Sequence, residues 1–284
     1  MRCWFKFIFI FIIGFNSLHA FQPSIKDTKN FLKPELNLVW QEEFSDSKLN
    51  TDKWAFQLGN GAEYGIAGWG NNELQFYTDS SDNFELSDGM LKIIPLYNKD
   101  SSKTFTSVKL VTKDLVNFTS PGVLEVKFKI PKGQGLWPAI WMMPEKNRFG
   151  GWPKSGEIDL MEARGSNTNE VLSTLHFFQN GHRLLGSEYK VSNENNFNQN
   201  FHIITLIWGI DKISFYINNQ FLVYEGSLTK LLGAKYPFNE SFYLILNTAI
   251  GGDFVKAPKP NEICSLDNCD DSKKFIVDYI RYYQ

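Results

Sequence analysis

Val123-Leu-Glu-Val-Lys-Phe-Lys-Ile130 alternates apolar with charged residues from Leu124 onward. Successive side chains of an extended backbone point to opposite faces, so this octet predicts a β-strand with one face on a core and the other toward solvent. Runs of similar length recur on both sides of it. Leu36–Phe44 and Phe84–Leu96 precede it; Glu157–Ala163, Val171–Phe178, Phe201–Gly209, Lys212–Ile217, Gln220–Tyr224, Phe242–Ala249 and Phe275–Tyr283 follow. Gly, Asn, Asp, Ser or Pro bounds each run, as turn chemistry requires. Ile217-Asn-Asn-Gln220 lies between two runs and has the form of a tight hairpin turn. A helix is signalled only at Ser227–Gly233, with Ser227 as cap and Gly233 as stop. The chain shows no βαβ rhythm, no internal repeat and no dividing linker. The expectation is a single all-β domain over residues 36–284, built as a two-sheet sandwich or a closed barrel.

The 284 residues carry a net charge of -2, so no basic field exists to collect nucleic acid or an anionic membrane. Aromatic residues make up 15%, which suits strands and leaves tryptophans near loops to be examined for binding. Residues 1–20 read as a signal peptide. Arg2 and Lys6 precede a short apolar run, Phe7–Phe15, and small residues follow at Ser17 and Ala20. That run is too short to span a bilayer. Residues 21–35 read as a polar leader, and the expected mature product is a secreted, extracellular monomer. Cys3 leaves with the signal. Cys264 and Cys269, five apart in a polar loop without a neighbouring His, are expected to form a local disulfide in an oxidising compartment. Asn117-Phe-Thr119 and Asn239-Glu-Ser241 fit the glycan acceptor pattern.

Ser155-Gly-Glu-Ile-Asp-Leu-Met-Glu-Ala163 gathers three carboxylates in six positions. Strands rarely do this, because like charges repel and desolvation is costly. On a flat strand Glu157 and Asp159 share a face while Glu162 points away. A single β-bulge between Asp159 and Glu162 would restore the parity and turn all three to one cleft. The outer pair would then approach the roughly 5 to 5.5 Å that a retaining glycosidase needs. One carboxylate would attack as an anion and the other would carry a proton for the leaving oxygen. Asp159 between them could share a proton with the nucleophile. The bland alternative is a solvated acidic strand edge. Gly133-Gln-Gly-Leu-Trp-Pro-Ala-Ile-Trp-Met-Met-Pro144 and Trp152 lie just upstream. Aromatic rings are platforms for the flat C–H faces of sugars, which makes Trp137, Trp141 and Trp152 candidate subsites, with core packing as the alternative.

These segments carry a resemblance. Trp137-Pro-Ala-Ile-Trp141 followed by Gly156-Glu-Ile-Asp-Leu-Met-Glu162 resembles the active-site signature of glycoside hydrolase family sixteen, in its laminarinase branch. Gly68-Trp-Gly-Asn-Asn-Glu-Leu-Gln-Phe-Tyr-Thr78 is similar to a substrate loop of that branch. Thr174-Leu-His-Phe177, Asn247-Thr-Ala-Ile-Gly-Gly252 and Val277-Asp-Tyr-Ile-Arg-Tyr-Tyr283 match in the same order. The resemblance covers the chain from about residue 39 to its end. It implies a concanavalin A-like jelly-roll sandwich acting on β-glucan, with Glu157 as nucleophile, Glu162 as acid/base and Asp159 as assistant. It implies sugar contacts from Asn71, Trp137, Trp141, Trp152, His176 and Asn247. From the residues alone, His176 alternates toward the cleft within Ser173–Phe178, with a packed sheet histidine as the alternative, and His182 and His202 read as surface or loop residues. Where the family usually has Tyr-Thr-Ser-Ala-Arg, this chain has Phe105-Thr-Ser-Val-Lys109, so Lys109 would bring charge without an arginine fork. No cofactor is expected for catalysis. Family members often hold a structural calcium, and Glu43 and Asp278 stand in the matching places; two unrelated surface acids are the alternative.

Other readings use the same residues. Some animal relatives of this branch bind β-glucan without cutting it, in innate immune sensing. They have lost the catalytic glutamates and tend to carry an extra N-terminal domain, for which too few residues precede Leu36. A transglycosylase would share the covalent intermediate and differ only in acceptor. The Gly-rich stretches Gly59-Asn-Gly61 and Gly68-Trp-Gly70 do not follow a strand and open a helix, so they make no phosphate cradle. No Gly-x-Ser-x-Gly elbow supports a serine hydrolase.

Overall fold

In the computed structural model, which describes residues 36–227 and 229–284, the chain is laid down almost wholly as strands. The expected signal peptide 1–20 and leader 21–35 lie outside the described residues. In chain order the strands are β1 (Leu38–Glu42), β2 (Ala55–Phe56), β3 (Phe76–Tyr77), β4 (Phe84–Ser87), β5 (Met90–Ile93) and β6 (Leu96–Tyr97). There follow β7 (Phe105–Ser107), β8 (Lys109–Val111), β9 (Gly122–Lys129), β10 (Leu136–Pro144), β11 (Glu157–Ala163) and β12 (Glu170–Phe178). The last six are β13 (His182–Lys190), β14 (His202–Trp208), β15 (Ile213–Ile217), β16 (Phe221–Gly226), β17 (Phe242–Ile250) and β18 (Phe275–Tyr283). A short helix, α1 (Thr229–Leu232), falls inside the stretch expected to be helical.

One sheet runs β13-β12-β11-β10-β17-β8-β2. The other runs β16-β15-β14-β9-β18-β5-β4, with β1 added along β18. Pairings within both are antiparallel, as in β10 with β17 and β9 with β14. The expected two-sheet sandwich is therefore the observed architecture. Its core joins Ile140, Met142 and Leu246 of the first sheet to Phe128, Leu206 and Phe215 of the second. Trp208 is buried there too, and its indole N–H donates to the carbonyl of Phe238 at 2.7 Å. A group so deep must find a partner, because an unpaired buried donor costs about 1–3 kcal/mol.

Several expectations are refined by packing. Phe84–Leu96 is not one strand: Asp88 and Gly89, with φ of 57° and 70°, turn β4 back onto β5. The Asp-Gly pair is itself a hairpin signal. At the Asn218-Asn219 turn, φ is 54° and 57°, as a two-residue hairpin of matching twist needs. That turn also explains why the charged face of β9 is not fully solvated. Asn219 donates to Glu125 at 2.9 Å, and Glu125 is only 3% exposed, whereas Lys127 and Lys129 stay half-buried. β10 was legible as a sugar-binding motif rather than as a strand, since Pro138 and Pro144 argue against a central strand. Both prolines lie outside its ladder with β11, which runs from Ala139 to Met142. His202 is no surface residue: it is buried against Phe197, with Nε2 donating to the carbonyl of Asn195 at 2.9 Å.

Cys264 and Cys269 are joined, with their Cα atoms 4.6 Å apart. Asn117 and Asn239 are both exposed. The two acids expected at a calcium site are each engaged by a cation. Glu43 accepts from Arg281 Nε and Nη2 at 2.7 and 3.0 Å, and Asp278 lies 2.5 Å from Lys127 Nζ. As arranged, they do not offer the set of free oxygens that a calcium ion requires. No helix among the described residues is long and apolar enough to cross a membrane.

Candidate active site

β11 loses register with both of its neighbours at one place. Between Asp159 and Glu162 it advances three residues while β12 advances two, from Thr174 to Leu172. Against β10 it advances two, from Asp159 to Met161, while β10 moves only from Trp141 to Ile140. One extra residue is thus inserted, which is the expected bulge. Ile158, Leu160, Met161 and Ala163 are all fully buried in the core. Leu160 and Met161 both turn inward, and Glu157, Asp159 and Glu162 come to share the opposite face. Gly156 leads into this strand with φ 83°, and a Cβ there would stand 3.0 Å from the side chains of Phe238 and Pro237. Only glycine meets both demands without strain.

On that face the three acids floor a cavity of about 300 Å³, lined also by Asn71, Lys109, Trp137, Trp141, Trp152 and Asn247. Trp137 donates its indole N–H to Glu162 Oε1 at 3.0 Å, and Trp152 donates to Glu157 Oε2 at 2.7 Å. Each outer acid is therefore held by its own tryptophan. Trp141 donates instead to Asn247 Oδ1 at 2.7 Å, and Asn247 Nδ2 donates to the Tyr77 hydroxyl at 2.8 Å. Trp152 is 51% exposed, as its Gly- and Pro-flanked loop suggested, while Trp137 and Trp141 present half-buried faces from β10. His176 pairs in register with Glu157; its Nε2 is 3.1 Å from Asp159 Oδ2 and 3.9 Å from Glu157 Oε1. Every residue singled out for substrate contact thus comes to one place.

Three further residues, Trp69, Glu73 and Tyr77, join the site, and His182 reaches it as well. Trp69 sits at the cavity with φ 53°, between Gly68 and Gly70, and its ring lies 5.2 Å from Tyr64 and 5.4 Å from Tyr77. A bulky residue in left-handed backbone is strained, and such strain gathers at functional sites. Its signals in the sequence were the flanking glycines and its place in the Gly68–Thr78 segment. Glu73 accepts from Asn71 at 3.1 Å and from Gln75 at 2.7 Å. Tyr77 anchors Asn247. His182 was expected on the surface, and although exposed it bonds to His176 at 2.8 Å. Lys109, 5% exposed, lies under the site with Nζ 4.1 Å from the Trp69 ring centre and 4.8 Å from that of Trp141. Those distances are cation–π contacts, which stabilise a desolvated ammonium.

Burial dominates the electrostatics. It pushes the Glu157 carboxyl up to about 8, reinforced by Asp159; His176 and the Trp152 N–H act in the opposite direction. Burial, then Glu162, holds Asp159 well above the ordinary carboxylate range, while a hydrogen bond with Glu157 opposes them. Glu162 is likewise raised by burial, against His176 and the Trp137 N–H. Burial lowers Lys109 to about 8, against the pull of Glu73 and Glu157. Three carboxyls this close cannot all be charged at neutral pH, so the cluster retains protons and titrates as a unit. It can therefore offer a proton donor and a carboxylate at the same time, which is what acid-assisted displacement at an acetal needs.

Glu157, Asp159 and His176 also present ligand-type atoms within 4.8 Å of one another. A metal there would have to displace the protons that the cluster retains and would occupy the floor of the cavity.

The profile of glycosyl hydrolases family 16 matches residues 69–261, a span that includes all three acids and all the tryptophans of the site. The chain belongs to glycosyl hydrolases family 16. A relative, the glucan endo-1,3-beta-glucosidase of Cryptopygus antarcticus, is 35% identical over 237 residues, covering 76% of this chain and 81% of that one. The glucan endo-1,3-beta-glucosidase A1 of Niallia circulans is 34% identical over 267 residues; the match covers 88% of this chain but 38% of that longer protein. Among solved structures, the endo-beta-1,3-glucanase from Pyrococcus furiosus superposes with a TM-score of 0.75 at 33% identity, covering 88% of this chain and 94% of its own. The family-16 jelly-roll sandwich is thus the fold of this chain, and its cavity lies on the outer face of the seven-stranded sheet.

Proposed function

We propose that this family-16 glycoside hydrolase is an exported, endo-acting hydrolase of 1,3-β-glucan of the laminarin kind, working with retention of configuration. The observation that carries the proposal is the bulge in β11, which brings Glu157, Asp159 and Glu162 to one face beneath a tryptophan-lined cavity. A glucan chain lies along Trp137, Trp141 and Trp152, its C–H faces on the rings. Glu157 attacks the anomeric carbon, with Trp152 and His176 favouring its anion. Glu162, whose pKa burial raises, gives its proton to the leaving oxygen. It then takes a proton from the water that opens the glycosyl-enzyme. Asp159 holds the proton that Glu157 gives up when it becomes the nucleophile. Lys109 and Asn247 hold the cavity wall and the Trp141 ring, and Asn71 faces the sugar hydroxyls.

Wild type and Glu157→Gln, purified side by side, are expected to differ by a factor on the order of 10³ or more in reducing ends released from laminarin. Lichenan and agarose serve as comparisons. Release from agarose or lichenan alone would keep the mechanism and replace the substrate. A folded wild type that binds laminarin and cuts none of the three would leave a recognition protein in place of an enzyme.

A further inference from the structure

His182 stands on β13 at the edge of the seven-stranded sheet, outside the cavity lining. Its Nε2 lies 2.8 Å from His176 Nδ1, and the two rings stack at 5.1 Å with planes 19° apart. On its other side the ring is 4.6 Å from Trp152. Both neighbours end on the acids: His176 Nε2 faces Asp159 Oδ2 and Glu157 Oε1, and Trp152 donates to Glu157 Oε2. Two nitrogens 2.8 Å apart need one hydrogen between them, so one ring donates and the other accepts.

The surroundings decide which. The charged groups facing the pair are Glu157, Asp159 and Glu162 of β11; Arg183, the neighbour of His182, is directed away to the carbonyl of Gln179. Asp159 Oδ2, 3.1 Å from His176 Nε2, is buried and has no hydrogen-bond partner, so an N–H on Nε2 is the donor it lacks, whereas a bare lone pair there would leave it orphaned. His176 Nδ1 is then the acceptor, and His182 Nε2 must carry the hydrogen. We propose that His182 is a positioning residue whose Nε2–H fixes His176 as the tautomer that turns a donor toward Asp159 and Glu157. Its catalytic consequence rests on the hydrolase reading above; the tautomer does not. Burial, followed by the neighbouring His176 ring, lowers the pKa of His182, which favours its neutral form. This is the arrangement in which a second group, out of reach of the substrate, sets the roles of the two imidazole nitrogens.

The test uses the whole chain, labelled with ¹⁵N, and proton–nitrogen correlation spectra that separate Nε2–H from Nδ1–H histidines. His182→Phe keeps a ring against Trp152 but removes the donor; His182→Gln restores a donor. Wild type is expected to show His176 protonated on Nε2. In His182→Phe that form is expected to be lost, with kcat on laminarin falling about tenfold while KM changes less than about twofold. The acid limb of the pH profile moves to higher pH, because the ionised form of Glu157 loses a donor facing it. His182→Gln is expected to recover most of each change. An unchanged His176 tautomer and pH profile in folded His182→Phe overturns the proposal, as does an Nδ1–H His176 in wild type. The wild-type spectrum decides alone if His182→Phe does not fold. A wild type inert toward every glucan sinks the hydrolase reading and leaves the tautomer measurement standing.

Discussion

Glu157 and Glu162 differ in what surrounds them, and each difference predicts an outcome. If Glu157 is the nucleophile and Glu162 the acid/base, small replacements should give opposite products when azide is supplied. Glu157→Gly is expected to release an α-glycosyl azide, because azide attacks the face the nucleophile has left. Glu162→Ala is expected to release the β-azide, because azide intercepts the covalent intermediate; anomeric coupling constants tell the two apart. The Trp152 N–H lowers the pKa of Glu157, so Trp152→Phe, which keeps the ring but loses the donor, is expected to raise it. The acid limb of kcat/KM then shifts to higher pH. Burial of Glu157 also has a stability consequence. Its folded pKa, about 8, exceeds the ordinary 4.5, so between those values the folded state binds more protons than the unfolded. Stability therefore falls as pH rises through that window. Glu157→Gln removes this titration, and its thermal midpoint should exceed that of wild type by a margin that widens from pH 4.5 toward 8.

At the scale of elements, β11 is the decisive one. Three acids with apolar residues between them were legible as a cleft strand, and the need for a bulge followed from parity alone. Where the extra residue sits was not legible, because Leu160 and Met161 are equally apolar and both pack in the core. Deleting Leu160 removes the extra residue and leaves a flat strand, with Glu162 two steps beyond Asp159 and still on the cavity face. Folding is expected to survive, read by near-ultraviolet circular dichroism, while the shifted carboxyl loses its place beside Trp137 and glucanase activity falls. Met161→Leu, which conserves volume, should cost less than about 1.5 kcal/mol and keep the activity. β10 escaped notice as a strand because its prolines oppose that assignment. β13 escaped because its edge position leaves nearly all of it exposed, so no alternation is imposed on it. His182, on that strand, reads in the sequence as a surface or loop residue for the same reason.

At the scale of the molecule, the site is a rigid decoration on one face of a sandwich whose strength lies on the other. Phe215 of β15 is fully buried between the sheets and far in sequence from every residue of the cavity. Phe215→Ala should cost about 3–5 kcal/mol in chemical denaturation while leaving kcat per folded molecule unchanged. The sequence by itself determined the class of fold and most of the long strands, β10 and β13 excepted, and it marked Glu157, Asp159, Glu162 and the tryptophans as the candidate site. Alternation, turn residues and clustered acids are local patterns, and local patterns survive in a linear string. Only the tertiary structure decided which tryptophan holds which acid, that Glu43 and Asp278 are spoken for by Arg281 and Lys127, and that Trp69, Glu73 and His182 join the site. Those pairings depend on sheet register and on loops folded over from distant parts of the chain. No pattern within a few residues encodes them, because the energy that selects them comes from burying all of the partners together.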